Sequence, residues 1–154
     1  MGLANGVQPL LGYNFGSGDI KRFREVESYT KKCCLIVGII ATLLYFVFRT
    51  QIIAMFINDL EVINYGVLML IGYMISGPVI GLLFVNMNCM QSVGRALPAT
   101  ILSVLRQGVL LIPMLYILNA IAGLHGVIYG QALTDYIAVI LSAYLWRKVR
   151  KNLE

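Results

Sequence analysis

Two residues stand out as able to do chemistry. Between Arg95 and Arg147 the sequence carries only Arg106 and Asp135 as charged residues, each within a long apolar stretch. A charged side chain at the centre of a bilayer costs about 2.5–3.5 kcal/mol on insertion scales and marks a functional position by default. If the chain turns back near residues 120–121, Arg106 and Asp135 each lie about 15 residues from the turn and reach the same depth. An ion pair there, or a polar network including both, offsets two desolvation costs that neither residue carries well alone. Gln131, Asp135, Ala138 and Ser142 recur at spacings of 4, 3 and 4, which places them on one helix face. Ser103, Arg106 and Gln107 share a face one helix earlier. Both faces are expected to point into protein or water, away from lipid. Arg106, Gln107, Gln131 and Asp135 thus form a candidate intramembrane network, read either as a lock between two helices or as part of a proton or substrate path.

A second polar set is Asn86, Asn88 and Gln91, near one end of a long apolar run. These residues suit interhelical hydrogen bonds or the lining of a cavity or gate. In the middle of the same run stands Gly77-Pro78, where proline removes a backbone donor and permits a bend. Gly77 and Pro78 are a candidate hinge, and Pro113 permits a bend in the next helix.

Other chemistries lack their machinery. Cys33, Cys34 and Cys89 have no metal or redox spacing, and His125 is the single histidine. No Ser/His/Asp or Cys/His arrangement, phosphate loop or dinucleotide fingerprint occurs. The expectation is a non-enzyme with no metal site and no cofactor.

The elements that position these residues follow from charge and hydropathy. Hydrophobic residues make up 59% of the 154, and charged residues only 12%, about half the usual share of a soluble domain. The net charge of +5 does not mark a nucleic-acid binder, because the basic residues cluster at the flanks of apolar runs. Uncharged runs cover 33–48, 62–94 and 107–134. The last contains the turn-like stretch Asn119–Gly126, so it is read as two helices. The expected fold is an all-α polytopic membrane bundle, with four full spans at about 31–50, 64–89, 98–118 and 124–146. A truncated span at 1–16 precedes a cytoplasmic connector at 17–30, and a basic tail at 147–154 follows the four-helix part at 31–146. In the connector, Ser17-Gly18-Asp19 suits the start of a short helix with Ile20, Phe23 and Val26 on one face.

Alternating sides puts Lys21, Arg22, Arg24, Lys31, Lys32, Arg95, Arg147, Lys148, Arg150 and Lys151 on one side and Arg49 on the other. That asymmetry is what the positive-inside rule expects of a cell-membrane protein with a cytoplasmic C-terminus. Four GxxxG pairs, at Gly2/Gly6, Gly12/Gly16, Gly77/Gly81 and Gly126/Gly130, suit close helix packing. The opening Gly2-Leu3-Ala4-Asn5-Gly6-Val7-Gln8-Pro9 reads like the middle of a longer protein.

The glycine-rich segment Gly2–Asp19 resembles the end of the eighth helix and the following loop of the multidrug and toxic compound extrusion (MATE) transporters. Met55-Phe56-Ile57-Asn58-Asp59 with Glu61-Val62-Ile63 is similar to their link after helix nine, and Gln91-Ser92-Val93-Gly94-Arg95 to the loop after helix ten. Ser103, Leu105-Arg106-Gln107 and Pro113 resemble helix eleven, and Gly123, Gly126 and Asp135 the final turn and helix. The resemblance implies two six-helix lobes around a cavity, alternating access, and extrusion of cationic or amphiphilic compounds driven by a proton or sodium gradient. This chain would supply the last part of the second lobe and be inactive alone, with the bilayer and the missing N-terminal lobe as its partners. Some members place a coupling acid in helix ten, whereas residues 62–94 here hold no Asp or Glu. The resemblance therefore assigns no cation site to that helix, and no such role passes to Asp135. Tyr73 and Phe84 are aromatics suited to flat cationic substrates. The alternatives are a flippase of lipid-linked saccharide from the same superfamily, or a structural membrane subunit that transports nothing.

Overall fold

The structure, a computed structural model, describes residues 2–56 and 60–151. Part of the expected link after the first full span, residues 57–59, lies outside the described residues, as does the end of the tail at 152–154. The described elements are helical throughout: α1 (Gly2–Gly16), α2 (Ile20–Ala54), α3 (Leu60–Ser92), α4 (Ala96–Val104), a π-helical stretch (Leu105–Leu110) and α5 (Leu111–Lys151).

Two tight turns of the same design join the first elements. After α1, Gly18 takes φ 78° and the Asp19 N–H donates to the Asn14 carbonyl at 3.0 Å. After α3, Gly94 takes φ 76° and the Arg95 N–H donates to the Met90 carbonyl at 2.9 Å. Both are Schellman closures, in which a left-handed glycine lets the chain satisfy the last orphan carbonyls of the helix. Asp19 then caps α2 by accepting the Arg22 N–H at 2.9 Å. The helix so started is not short. It runs unbroken for 35 residues, so the expected connector and first full span share one rod. At about 52 Å it exceeds the hydrocarbon thickness, which lets its charged first turns stand clear of lipid.

Three helical stretches are long and apolar enough to cross a membrane: Ile20–Ala54, Val62–Ser92 and the 56-residue Ala96–Lys151. This differs from the expected four separate spans, because 98–118 and 124–146 fall within one helical stretch. The break between them is a single residue, Gly123, at φ 57° and ψ −136°, and not a loop. That one residue reverses the chain. A Cβ at Gly126 would overlap the Leu118 carbonyl, and one at Gly130 would come within 3.1 Å of Leu115. The segments on either side of Gly123 therefore lie against each other as a hairpin.

The packed core sits at one end. Ala4, Leu11, Phe23, Val85, Cys89, Met90, Val93, Ala99 and Trp146 form a buried cluster drawing on α1 to α5. Leu83, Leu102 and Ala138 form a smaller one deeper in the bundle. Gly77 and Gly81 bring α3 onto α2, where added Cβ atoms would sit 2.6 Å from Thr42 Oγ1 and 3.0 Å from Cys34 Cβ. α3 itself remains one helix through Gly77-Pro78. Along α2, by contrast, Ile36, Ile40, Leu43, Leu44 and Val47 stay exposed, the composition of a lipid-facing surface.

Candidate functional site

The C-terminal half of α5 organises the polar interior. Asp135, Ser142 and Trp146 are all buried on one face, and Gln131 lies one turn before Asp135. Each buried member takes its partner from a different helix.

Asp135 takes Arg106. The Arg106 Nε donates to Asp135 Oδ1 at 2.8 Å across 29 residues of sequence. In a straight helix those residues would lie about 43 Å apart, so the hairpin at Gly123 is what joins them. The Gln131 side-chain amide donates to the same Oδ1 at 3.3 Å. The side chains of Arg106 and Asp135 are only 14% and 3% exposed, and the guanidinium lies 5.8 Å from the Phe84 ring centroid. The cation is thus held by a carboxylate on one side and an aromatic face on the other.

Not all of the expected network joins this cluster. Gln107 and Ser103 are exposed, away from the buried pair. Their expected common face with Arg106 assumed α-helical spacing, but the chain widens to a π-helix at Leu105–Leu110. Ser103 precedes that stretch in α4, and Gln107 lies within it.

Ser142 takes Asn86, whose amide donates to the serine Oγ at 3.0 Å while the serine donates to the Val139 carbonyl at 2.7 Å. The Asn86 Oδ1 is buried and finds no hydrogen-bond partner among the described residues. Asn88 and Gln91 face the other way, onto α1. Asn88 donates to Asn5 Oδ1 at 3.0 Å, and Gln8 donates to Gln91 Oε1 at 3.2 Å. The three residues grouped in the sequence therefore serve two different helix contacts. Tyr73 is 61% exposed and borders a recess of about 160 Å³ with Met69, Leu115, Val127, Ile128 and Gln131. His125 is exposed beside the hairpin turn. The three cysteines are free, and no cluster of metal-ligating side chains occurs among the described residues.

Trp146 takes Glu27, a residue that no motif in the sequence singles out. The indole Nε1 donates to Glu27 Oε1 at 2.6 Å, and the Lys31 ammonium lies 2.5 Å from the same oxygen. Arg150 reaches Oε2 at 4.0 Å. Glu27 is 4% exposed although it stands among basic residues that look solvated in sequence. The available signal was its spacing from Phe23 and Thr30, since those three are the buried positions of α2.

The comparisons with known proteins agree along the chain. The sequence model of the MatE family matches residues 1–117. The multidrug export protein MepA of Staphylococcus saprophyticus is 31% identical over 150 residues, covering 96% of this chain and 33% of that protein. MepA of a Staphylococcus aureus strain gives the same identity and coverage. Among solved structures, an inward-facing multidrug resistance MATE transporter of the MOP superfamily superposes with a TM-score of 0.93 at 17% identity, over 99% of this chain and 36% of that one. The Vibrio cholerae MATE transporter VcmN in its bent form gives 0.87 at 20% identity, over 96% and 34%. The chain thus spans about a third of the length of the relatives it matches. With a family match over 117 of 154 residues and this fold, the chain belongs to the MATE family of membrane transporters.

Proposed function

We propose that this chain is the C-terminal part of the second lobe of a multidrug or organic-cation efflux antiporter, and that it does not transport alone. The observation that carries the reading is the 150-residue match to multidrug export proteins. On this reading, residues 2–16 end a helix whose earlier part lies outside the chain. Residues 98–118 and 124–146 cross the bilayer separately, giving four full crossings. The basic ends face the cytoplasm of a cell-membrane protein.

The physical roles follow. The Arg106–Asp135–Gln131 cluster, near mid-bilayer, holds two helices at fixed depth so that these two move together as the lobe rocks between inward and outward states. Tyr73 and the recess beside Gln131 offer an aromatic wall to a flat cation from the cavity side. Gly77-Pro78 is the place where α3 bends during the rocking. The driving gradient is of protons or sodium. The N-terminal lobe supplies the other cavity wall, and small cationic or amphiphilic compounds are the cargo.

The test is accumulation of a fluorescent organic cation in cells lacking their own exporters. Cells are given either this chain alone or the same residues joined to the N-terminal lobe of a MATE transporter. The joined protein should lower accumulation, and collapse of the proton and sodium gradients should abolish the effect. The chain alone should not lower it. Export by the chain alone would overturn the reading, as would a joined, membrane-inserted protein that leaves accumulation unchanged. Movement of lipid-linked saccharide by the joined protein would indicate a flippase.

A further inference from the structure

Glu27 has no part in the mid-bilayer cluster, yet it is the carboxylate with the most cross-chain ties among the described residues. One oxygen accepts from the Trp146 indole at 2.6 Å and from Lys31 at 2.5 Å, and the other faces Arg150 at 4.0 Å. Trp146 is 2% exposed, and its ring centroid lies 6.0 Å from that of Phe23, which lies 6.2 Å from Phe15. The carboxylate therefore caps an aromatic stack running from α1 through α2 to the end of α5. It joins residues 119 apart in sequence at the end of the bundle where both basic clusters lie.

We propose that Glu27 is a positioning residue that latches the last turns of α5 to the first turns of α2, so that this end of the lobe moves as one piece during transport. The carboxylate can do this because α2 begins well before the apolar run. Its first turns form a lever beyond the bilayer, and the end of α5 reaches the same level. Without the latch, the Phe23–Trp146 ring contact still joins the two ends, and apolar contacts tolerate sliding. A charge-assisted hydrogen bond fixes one distance and one angle. Lys31, on α2 itself, neutralises the carboxylate without bridging the helices, so the bridge rests on Trp146 and, more weakly, on Arg150.

The transport part of this inference rests on the proposed efflux function, but the latch itself is readable without transport. The experiment uses the full-length transporter carrying these residues, with Cys33, Cys34 and Cys89 replaced. Spin labels are placed at the exposed positions Ser28 and Lys148. The parent protein should give one narrow distance distribution. Glu27→Gln keeps an acceptor for the indole but loses both cation contacts, and Trp146→Phe keeps the ring but loses the donor. Each should shift the latched-to-unlatched ratio about tenfold and broaden the distribution. The double variant should fall short of the sum of the two singles, because Glu27→Gln weakens the same indole–carboxylate bond that Trp146→Phe removes. Turnover should fall with KM unchanged, and Glu27→Asp should restore part of both readouts. A distribution that stays narrow in both singles overturns the latch, as does additive broadening in the double variant. If Glu27→Gln fails to insert, Trp146→Phe alone decides. Broadening in a protein that exports nothing would leave the latch standing and defeat only the efflux reading.

Discussion

The two carboxylates at the heart of this fold, Asp135 and Glu27, are equally buried and differently placed. Asp135 meets one cation, Arg106, inside a hairpin closed by Gly123. Glu27 meets a tryptophan and two cations at the end of the bundle, where Lys31 and Arg150 remain 28% and 44% exposed. Burial of the carboxylate alone does not set the cost of losing a partner. What matters is whether the group left behind can find water. Arg106, 14% exposed, has less access to it than Lys31 and Arg150.

That difference orders the expected effects of substitution. Arg106→Leu or Asp135→Leu leaves a lone charge in an apolar interior and should cost about 3–5 kcal/mol. The double variant Arg106→Met with Asp135→Leu should recover most of it. Thermal unfolding in detergent measures this, and a double variant no better than the worse single would place the pair in a larger dependent network. Glu27→Gln should cost less, about 1–2 kcal/mol, because its cations stay solvated and one acceptor for the indole remains. An effect as large as that of Asp135→Leu would erase the contrast between the two sites. Asn86→Leu should have the smallest effect, within about 1 kcal/mol, since it removes an unpartnered buried oxygen along with one bond to Ser142. A large loss there would mean that the Asn86 oxygen has a partner outside this chain.

The same contrast explains what was legible in the sequence. Arg106 and Asp135 stood alone in uncharged stretches, so their types and their spacing from the turn pointed to one another. Glu27 stood among Lys21, Arg22, Arg24, Lys31 and Lys32, where a carboxylate reads as local charge balance. Its partner Trp146 was invisible for another reason: the contact spans 119 residues and depends on how far α2 extends before the membrane. The turns at Gly18 and Gly94 were readable from glycine beside polar residues. The hairpin was expected too, though as a short loop, whereas one glycine at positive φ suffices. The π-helix at Leu105–Leu110 left no periodic signature in the sequence. Asn86, Asn88 and Gln91 looked like one set because they are close in sequence. On a helix, neighbours two apart point in different directions, and the structure sends Asn86 to α5 and Asn88 to α1.

On the proposed reading, the stretch Ala96–Lys151 crosses the bilayer twice, with its turn at Gly123 outside and its two ends on the cytoplasmic side. Single cysteines at Ser28, His125 and Lys148, in an otherwise cysteine-free full-length transporter, can be probed with a membrane-impermeant thiol reagent. In intact cells position 125 should label while 28 and 148 stay protected, and permeabilisation should expose both. Labelling of position 148 in intact cells, with 28 still protected, would contradict the account.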